Sequence, residues 1–184
     1  MAQPPTPPPL ACTAPEHRQF DFWLGRWTVH GGPDGTALQG SSRIERSDNG
    51  CWITEHWHSA GGSDGTSLNA WDAQYKVWRQ FWTGADGVVL RLEGGLRDGA
   101  MVMEGELPTS AGGTQRQKIS WTPQRDGSVV QHWQTSDDDG RTWQDAFRGV
   151  YRRSPAPGAR TRPATAAGRA PIAALRGQAS RATD

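Results

Sequence analysis

Long apolar runs, a strong charge imbalance and a set of cysteines are all missing from this sequence of 184 residues. No stretch approaches the roughly 18 consecutive apolar residues of a membrane helix, so we expect no membrane span. Two cysteines are too few for a disulfide scaffold or an all-cysteine zinc site. Cys12 and Cys51 either form a single bridge or remain two free thiols, and the sequence leaves both alternatives open.

The net charge of the chain is only +1, and it is unevenly distributed. Residues 154–184 contain five arginines and one acid, a net charge of +4, which leaves −3 for the rest. A negatively charged folded part lacks the basic footprint of a nucleic-acid-binding domain, so no nucleic-acid partner is expected. The start, MAQPPTPPPLAC, shows neither the basic nor the apolar segment of a secretory signal. We therefore expect no export signal, which leaves periplasm and cytoplasm as alternatives.

Ten tryptophans and 23 glycines are the abundant features of the chain. Short strand-like segments recur every 8 to 14 residues, separated by Asp-Gly and Asn-Gly turns typical of antiparallel hairpins. The ten predicted strands cover residues 26–30, 41–47, 51–59, 67–71, 77–83, 88–93, 101–107, 115–121, 129–135 and 143–152. Alternating βα units are missing, which argues against a parallel sheet.

An open sheet of ten antiparallel strands would leave two unpaired edges, whereas closure removes them. The sequence therefore predicts an all-β, up-and-down antiparallel barrel of about ten strands over residues 16–153, with a two-sheet sandwich as the alternative. A short helical turn is expected at residues 19–24. Residues 1–15 form a Pro-rich arm, and the Ala/Arg/Pro/Gly-rich residues 154–184 are predicted to be a disordered tail.

Phe20, Phe22, Trp23 and Trp27 lie within eight positions near the start, in the string FDFWLGRW. Gly25-Arg26-Trp27 resembles the Gly-x-Trp opening of lipocalin and calycin barrels. That resemblance implies that Trp27 closes one end of the barrel under an arginine of the last strand, which would be Arg148 or Arg152. The aromatic stretch is thus expected to close the barrel rather than to bind a ligand.

A longer series of strings, FDFWLGRW, RIERSDNGCWITEHW, GTSLNAWD, VWRQFW, QHWQTSDDDGRTW and FRGVYRR, covers roughly residues 12–152. It resembles an uncharacterised bacterial family, a domain of unknown function whose members open with F-D-F-W-x-G-x-W. The resemblance implies a lipocalin-like barrel and no particular activity. Many relatives carry export signals, which the start of this chain does not show.

SDDDGRTW, residues 136–143, matches the Asp box S-x-D-x-G-x-T-W. The motif is repeated on the blades of sialidase propellers, where it shapes a hairpin loop. A propeller needs at least about four blades of four strands, and ten strands cannot build it. We therefore predict a structural hairpin rather than glycosidase chemistry.

Strand alternation indicates which polar and aromatic side chains face the barrel interior. These groups combine aromatic walls with single amide or carboxyl groups, the composition of a ligand cavity. The alternative is a filled core in which Asn69 and Gln80 satisfy each other. The predicted ligand-binding residues are Glu55, Trp57, Asn69, Trp71, Gln80, Trp82, Gln131 and Trp133. A buried Glu55 needs a partner, for which Arg43, Asn69 and Gln80 are candidates.

Histidines offer little support for a metal or a cofactor. His56 and His58 share one face of a strand, which we expect to point outward, and no third ligand has convincing spacing. Small barrels that resemble nitrobindin bind heme through a histidine near the last strands. His132 alternates with Gln131 and Trp133, so it cannot share their inward face. We therefore expect no metal, and no cofactor unless it is heme.

Three classes of function follow from this pattern. The first is the binding of a small hydrophobic or amphipathic molecule inside the barrel. The second is an isomerase, lyase or hydrolase with Glu55 as the general acid or base, which a buried Glu55 with a raised pKa would favour. An ion pair between Glu55 and Arg43 would instead favour a structural role. The third class is an interaction module with no cavity and an exposed aromatic patch.

Overall fold

The computed structural model describes residues 12–155 except residues 33 and 111, so the tail from residue 156 onward and most of the Pro-rich arm lie outside the described residues. Within the described part, ten strands form a closed antiparallel barrel in which each strand pairs with its neighbours in sequence and β10 closes against β1. The strands are β1 Gly25–Gly31, β2 Ala37–Arg46, β3 Trp52–Ser59, β4 Gly65–Asp72, β5 Val77–Gly84, β6 Val89–Arg97, β7 Ala100–Pro108, β8 Thr114–Pro123, β9 Val129–Ser136 and β10 Gln144–Arg153. The predicted up-and-down barrel is confirmed.

Two short 3₁₀ helices, Pro15–Arg18 and Asp21–Trp23, precede the first strand. The second lies within the helical turn predicted at residues 19–24, while the first was not predicted. Among the described residues, no helix combines the length and the apolar character needed to cross a bilayer.

Two strands extend furthest beyond their predicted bounds, because glycines interrupt their apolar alternation. β2 begins at Ala37 rather than residue 41, and β6 continues to Arg97 rather than residue 93. Gly94 is required where β6 meets β7, because a Cβ there would lie 2.0 Å from the Val102 carbonyl oxygen. A strand position that tolerates only glycine carries no hydrophobic signal, so its strand character is hidden in the sequence.

The closed end of the barrel is filled by an aromatic floor, which we define as Phe20, Trp23, Trp27, Trp78, Trp121 and Tyr151. All six side chains are at most 2% exposed. Phe20 stacks on Trp23 with ring centroids 4.8 Å apart, and its edge meets Trp121 at 5.3 Å. The ring nitrogen of Trp27 donates a 2.8 Å hydrogen bond to the Trp23 carbonyl. The expectation that Phe20, Trp23 and Trp27 close the barrel agrees with this packing.

The arginine that covers Trp27 is Arg153, not Arg148 or Arg152 as expected. Its guanidinium carbon lies 4.4 Å from the ring centroid of Trp27, and Nη1 donates to the Leu24 carbonyl at 3.1 Å. Arg153 pairs with Trp27 across β1 and β10 and shares the face of Tyr151, which is two residues away. Arg148 and Arg152 have the opposite parity, so they point away from the floor.

A disulfide between Cys12 and Cys51 joins the segment before the first 3₁₀ helix to the start of β3. This resolves the two alternatives that the sequence left open. An ion pair between Asp21 and Arg46 adds a second link nearby. Arg46 also donates hydrogen bonds of 3.1 Å to the carbonyls of His17 and Gly50. The N-terminal segment is therefore attached to the barrel wall independently of the aromatic floor.

Candidate functional site

A cavity of about 700 Å³ occupies the open half of the barrel and ends on the aromatic floor, where Trp121 and Tyr151 border it. This volume lies within the range of small-molecule binding sites. Its apolar wall includes Trp57, Trp82, Trp133, Leu90, Ile119 and Phe147. Its polar lining includes Glu55, Gln80, Gln115, Gln117, Gln131 and Tyr151. The alternative of a completely filled core does not describe this half of the barrel.

Glycines on the barrel wall explain why large aromatic side chains leave this space open. A Cβ on Gly65 would lie 2.3 Å from the ring of Trp82, and a Cβ on Gly40 would lie 2.8 Å from the ring of Trp57. Each ring therefore covers a glycine of the neighbouring strand and lies along the wall. Aromatic rings that pack over cross-strand glycines are a recognised feature of curved sheets. The centre of the barrel at its open end stays empty as a result.

Glu55 is the buried carboxyl group of the cavity, and it lies on the inner face of β3. Ser42 donates a 2.8 Å hydrogen bond to one carboxyl oxygen, and Ser67 donates a 3.1 Å bond to the other. Burial raises the pKa of Glu55 to about 7, and the two serine hydrogen bonds oppose that shift only partly. The carboxyl group can therefore exist in either protonation state near neutral pH.

The partners of Glu55 differ from those expected. Arg43 lies on the outer face and forms its ion pair with Glu45. Asn69 donates to Ser67 at 2.9 Å and accepts a 2.7 Å hydrogen bond from Gln80, so it reaches Glu55 only through Ser67. Ser67 is the cross-strand partner of Glu55 on β4, whereas Ser42 lies diagonally from Glu55, two residues from its β2 partner Ile44 on the same inward face. Glu55 thus forms no ion pair with any described residue.

A second group of polar side chains lines the opposite wall. Gln117 is fully buried, accepts a 2.8 Å hydrogen bond from the Trp133 ring nitrogen and donates to Gln115 at 2.9 Å. The Tyr151 hydroxyl donates to Gln131. Burial and the charge of Glu55 together raise the pKa of Tyr151 well above 10, so its hydroxyl stays protonated at neutral pH. These amides are held by protein partners and give the wall fixed polar positions.

Six of the eight predicted site residues line the cavity, namely Glu55, Trp57, Gln80, Trp82, Gln131 and Trp133. The other two lie nearer the aromatic floor. Asn69 is fully buried beneath Gln80, and Trp71 pairs with Trp78 across β4 and β5.

The lining residues that were not predicted from the sequence include Gln115, Gln117, Phe147 and Tyr151. Two-residue periodicity already places the glutamines on the same face as Ile119 and Trp121. The same periodicity links Phe147 to Tyr151 on β10. That signal was sufficient to find all four.

The histidines lie away from the cavity. His56 and His58 project from the outer face of β3, and Nδ1 of His58 contacts Asp64 at 3.0 Å. His132 bonds to Asp145 at 2.7 Å on the outside of β9. Within the described ranges, no group of three His, Cys, Asp or Glu side chains is arranged to hold a metal ion.

The Asp box forms the hairpin between β9 and β10. Asp138 accepts hydrogen bonds from the backbone and the hydroxyl of Thr142, at 2.8 and 2.6 Å, and Ser136 accepts from the Gly140 amide at 2.8 Å. The two bonds from Thr142, together with one from the Ser136 hydroxyl, lower the pKa of Asp138 to about 2. Trp143 packs under the amine of Lys118, 3.8 Å from its ring centroid. The Asp box side chains thus serve the loop itself.

No family model matches this chain, and no curated protein is significantly similar to it.

Proposed function

We propose that this protein is a lipocalin-like barrel that binds a small, partly apolar molecule in its interior. The observation that carries the proposal is the cavity of about 700 Å³, whose wall is mainly aromatic and aliphatic with a few buried polar groups. Binding sites for small molecules generally have this composition, because apolar contact supplies affinity and a few polar groups supply orientation. Trp57, Trp82 and Trp133 would contact the apolar part of the ligand, and Glu55 would orient a polar end.

Several polar side chains of the cavity are already fixed by hydrogen bonds within the protein, which lowers the entropy that is lost when a ligand binds. Glu55, Gln80 and Gln117 each have at least one protein hydrogen-bond partner in the absence of a ligand. Side chains that are fixed before binding lose little conformational freedom when the ligand arrives. The cavity is therefore ready to bind with little rearrangement of its wall.

Native mass spectrometry of the protein purified from its own cell, compared with its denatured mass, tests the proposal directly. We expect a non-covalent adduct that is lost on denaturation. A heme adduct would be recognised by its Soret absorption. Recombinant protein is then titrated with the neutral fluorescent probe N-phenyl-1-naphthylamine, which we expect to bind and to gain fluorescence in the apolar cavity. A protein that carries no adduct and binds no probe would contradict the proposal.

Gly65→Ala provides a variant that closes the cavity from its wall. The added Cβ would meet the Trp82 ring at 2.3 Å, so the ring must move toward the cavity centre. We expect this variant to bind the probe more weakly. Gly95→Ala is the matched control, since a Cβ on this β6 glycine meets no atom within 4 Å. Equal probe affinity in Gly65→Ala and wild type, with both folded, would place the probe outside the cavity.

A second candidate is an isomerase, lyase or hydrolase in which Glu55 is the general acid or base. What favours it is a cavity-facing carboxyl whose pKa is raised to about 7, which matches the proton-transfer needs of catalysis at neutral pH. Incubation of the ligand released from the native protein, followed by mass spectrometry, would detect turnover. Glu55→Gln would then bind the compound without converting it. An unchanged compound after long incubation with wild type would exclude this candidate.

A further inference from the structure

The charged groups of the cavity all have the same sign. Glu55 lies inside it, while Asp64 and Asp86 lie at the open end. Among the described residues, the cavity lining contains no Lys, Arg or His. Asp64 contacts Nδ1 of His58 at 3.0 Å on the outside of the barrel, whereas Glu55 and Asp86 have no basic partner among the described residues. A cavity lined by carboxyl groups and by no basic side chain attracts a cationic molecule and repels a carboxylate or phosphate.

Glu55 has acceptor capacity that the protein does not use. Each of its carboxyl oxygens accepts one serine hydrogen bond, while an ionised carboxylate offers about four acceptor positions. An ionised carboxylate in an apolar interior is costly without a cationic partner, and no described basic residue supplies one. A ligand ammonium group would complete this site.

The aromatic walls add a second interaction with a cation. Trp57 is two residues from Glu55 on β3 and lies over Gly40, while Trp82 on β5 pairs with Ser67 and lies over Gly65. Trp133 approaches the cavity from the opposite wall. The face of an aromatic ring is electrostatically negative, and tryptophan gives the strongest attraction for an ammonium group. The rings would also cover the apolar part of the same molecule.

Gln80 strengthens the acceptor character of this wall. Its amide nitrogen donates to Asn69 at 2.7 Å, and its carbonyl oxygen accepts no hydrogen bond from the described residues. Glu55 and Gln80 therefore both present oxygen acceptors to the cavity. A donor-rich head group fits this pair better than an acceptor-rich one.

We infer that the ligand is an organic amine, bound as its ammonium ion by Glu55 and covered by the cavity tryptophans. The inference rests on the proposed binding function and adds the chemical class of the ligand. It predicts selection by head-group charge among molecules that share the same apolar body.

Three matched probes test the head group. They are 4-phenylbutylamine, 4-phenylbutanol and 4-phenylbutanoate, which carry an ammonium, a hydroxyl and a carboxylate on the same phenylbutyl chain. Affinities are measured by isothermal titration calorimetry at pH 8, where the amine is charged and Glu55 is mainly ionised. We expect the amine to bind at least about tenfold more tightly than the alcohol, in keeping with a hydrogen bond to a charged group. The carboxylate is expected to bind most weakly.

Glu55→Gln identifies the residue responsible, because it removes the charge and keeps the size. We expect it to lose the preference for amine over alcohol while still binding the alcohol. Glu106→Gln on the exposed face of β7 makes the same change in net charge and should keep that preference. Melting temperatures establish that both variants are folded. If Glu55→Gln does not fold, the comparison of the three probes on wild type decides the inference.

The two proposals fail in different ways. Alcohol binding that equals or exceeds amine binding in wild type would overturn the amine inference and leave ligand binding intact. If Glu55→Gln still prefers the amine to the alcohol, Glu55 is not the group that binds the ammonium, and the inference is overturned. Failure of all three probes and of N-phenyl-1-naphthylamine would overturn ligand binding itself.

Discussion

Tryptophans at the closed end of the barrel are fully buried among other aromatic rings, whereas those at the open end are only partly buried and line the cavity. Trp23, Trp27, Trp78 and Trp121 are at most 1% exposed and form the core of the aromatic floor. Trp57, Trp82 and Trp133 are only partly buried and line the cavity. The same residue type thus stabilises one half of the barrel and shapes a binding space in the other. Stability and binding should therefore respond to different substitutions.

The largest expected effect is on the floor. Trp27→Ala removes a fully buried ring that supports Trp23 and Arg153, and we expect the free energy of unfolding to fall by about 3 to 5 kcal/mol. Trp82→Ala should cost markedly less, because its ring is partly exposed and borders the cavity. Urea unfolding followed by circular dichroism measures both. A loss of stability as large in Trp82→Ala as in Trp27→Ala would contradict the division between the two halves.

Removal of the Cys12–Cys51 bridge should rank next. The bridge closes a loop with a sequence separation of 39 residues, and its loss is expected to cost about 2 to 4 kcal/mol by freeing the unfolded chain. Thermal unfolding of the Cys12→Ser/Cys51→Ser double variant measures this effect. Because the bridge lies outside the cavity, the folded variant should bind N-phenyl-1-naphthylamine as wild type does. Weaker probe binding at a temperature where the variant is folded would show that the closed end also shapes the cavity.

The sequence was sufficient to predict the barrel, because apolar alternation and Asp-Gly turns are local signals. It also predicted that Glu55 and Trp57 face inward, since two-residue periodicity follows directly from strand geometry. Applied to the last strand, the same periodicity places Arg153 on the face of Tyr151. It would therefore have identified Arg153, rather than Arg152, as the arginine that covers Trp27. What local pattern cannot supply is the register between strands. Register decides that Ser42 contacts Glu55.

Register also explains why the cavity itself was left as one of two alternatives. Gly40 and Gly65 appear in the sequence as ordinary strand or turn glycines, and nothing nearby indicates what covers them. Only the pairing of the strands places the rings of Trp57 and Trp82 over them. From side-chain volume alone, one would expect those rings to fill the open half of the barrel. The open space therefore depends on contacts between residues that are distant in sequence.

The pH dependence of stability tests the open half of the barrel. Burial raises the pKa of Glu55 from 4.5 to about 7, so the folded state favours the protonated carboxyl group. Protonated Glu55 makes its full contribution to the free energy of unfolding below pH 4.5. That contribution, up to roughly 3 kcal/mol, is lost as the pH rises to 7. Tyr151 faces the same space but stays neutral over this range, because its own pKa is raised well above 10.

Urea unfolding of wild type and Glu55→Gln at pH 5 and pH 8 measures this loss. We expect wild type to be less stable at pH 8 by the stated amount, and Glu55→Gln to show no such decline. Glu106→Gln should behave as wild type, since its carboxyl group is on the exposed face of β7. Parallel pH profiles for wild type and Glu55→Gln would show that the Glu55 carboxyl is not the buried acid described above.

The smallest expected effect concerns the arginine over the floor. Arg153→Ala removes the guanidinium 4.4 Å from the Trp27 ring centroid and its hydrogen bond to the Leu24 carbonyl. Because Arg153 is exposed to solvent, we expect a loss of only about 1 kcal/mol in the free energy of unfolding. Arg152→Ala is the matched control, since it makes the same charge change one residue away on the outer face. An equal loss in both variants would mean that general surface charge, and not contact with Trp27, produces the effect.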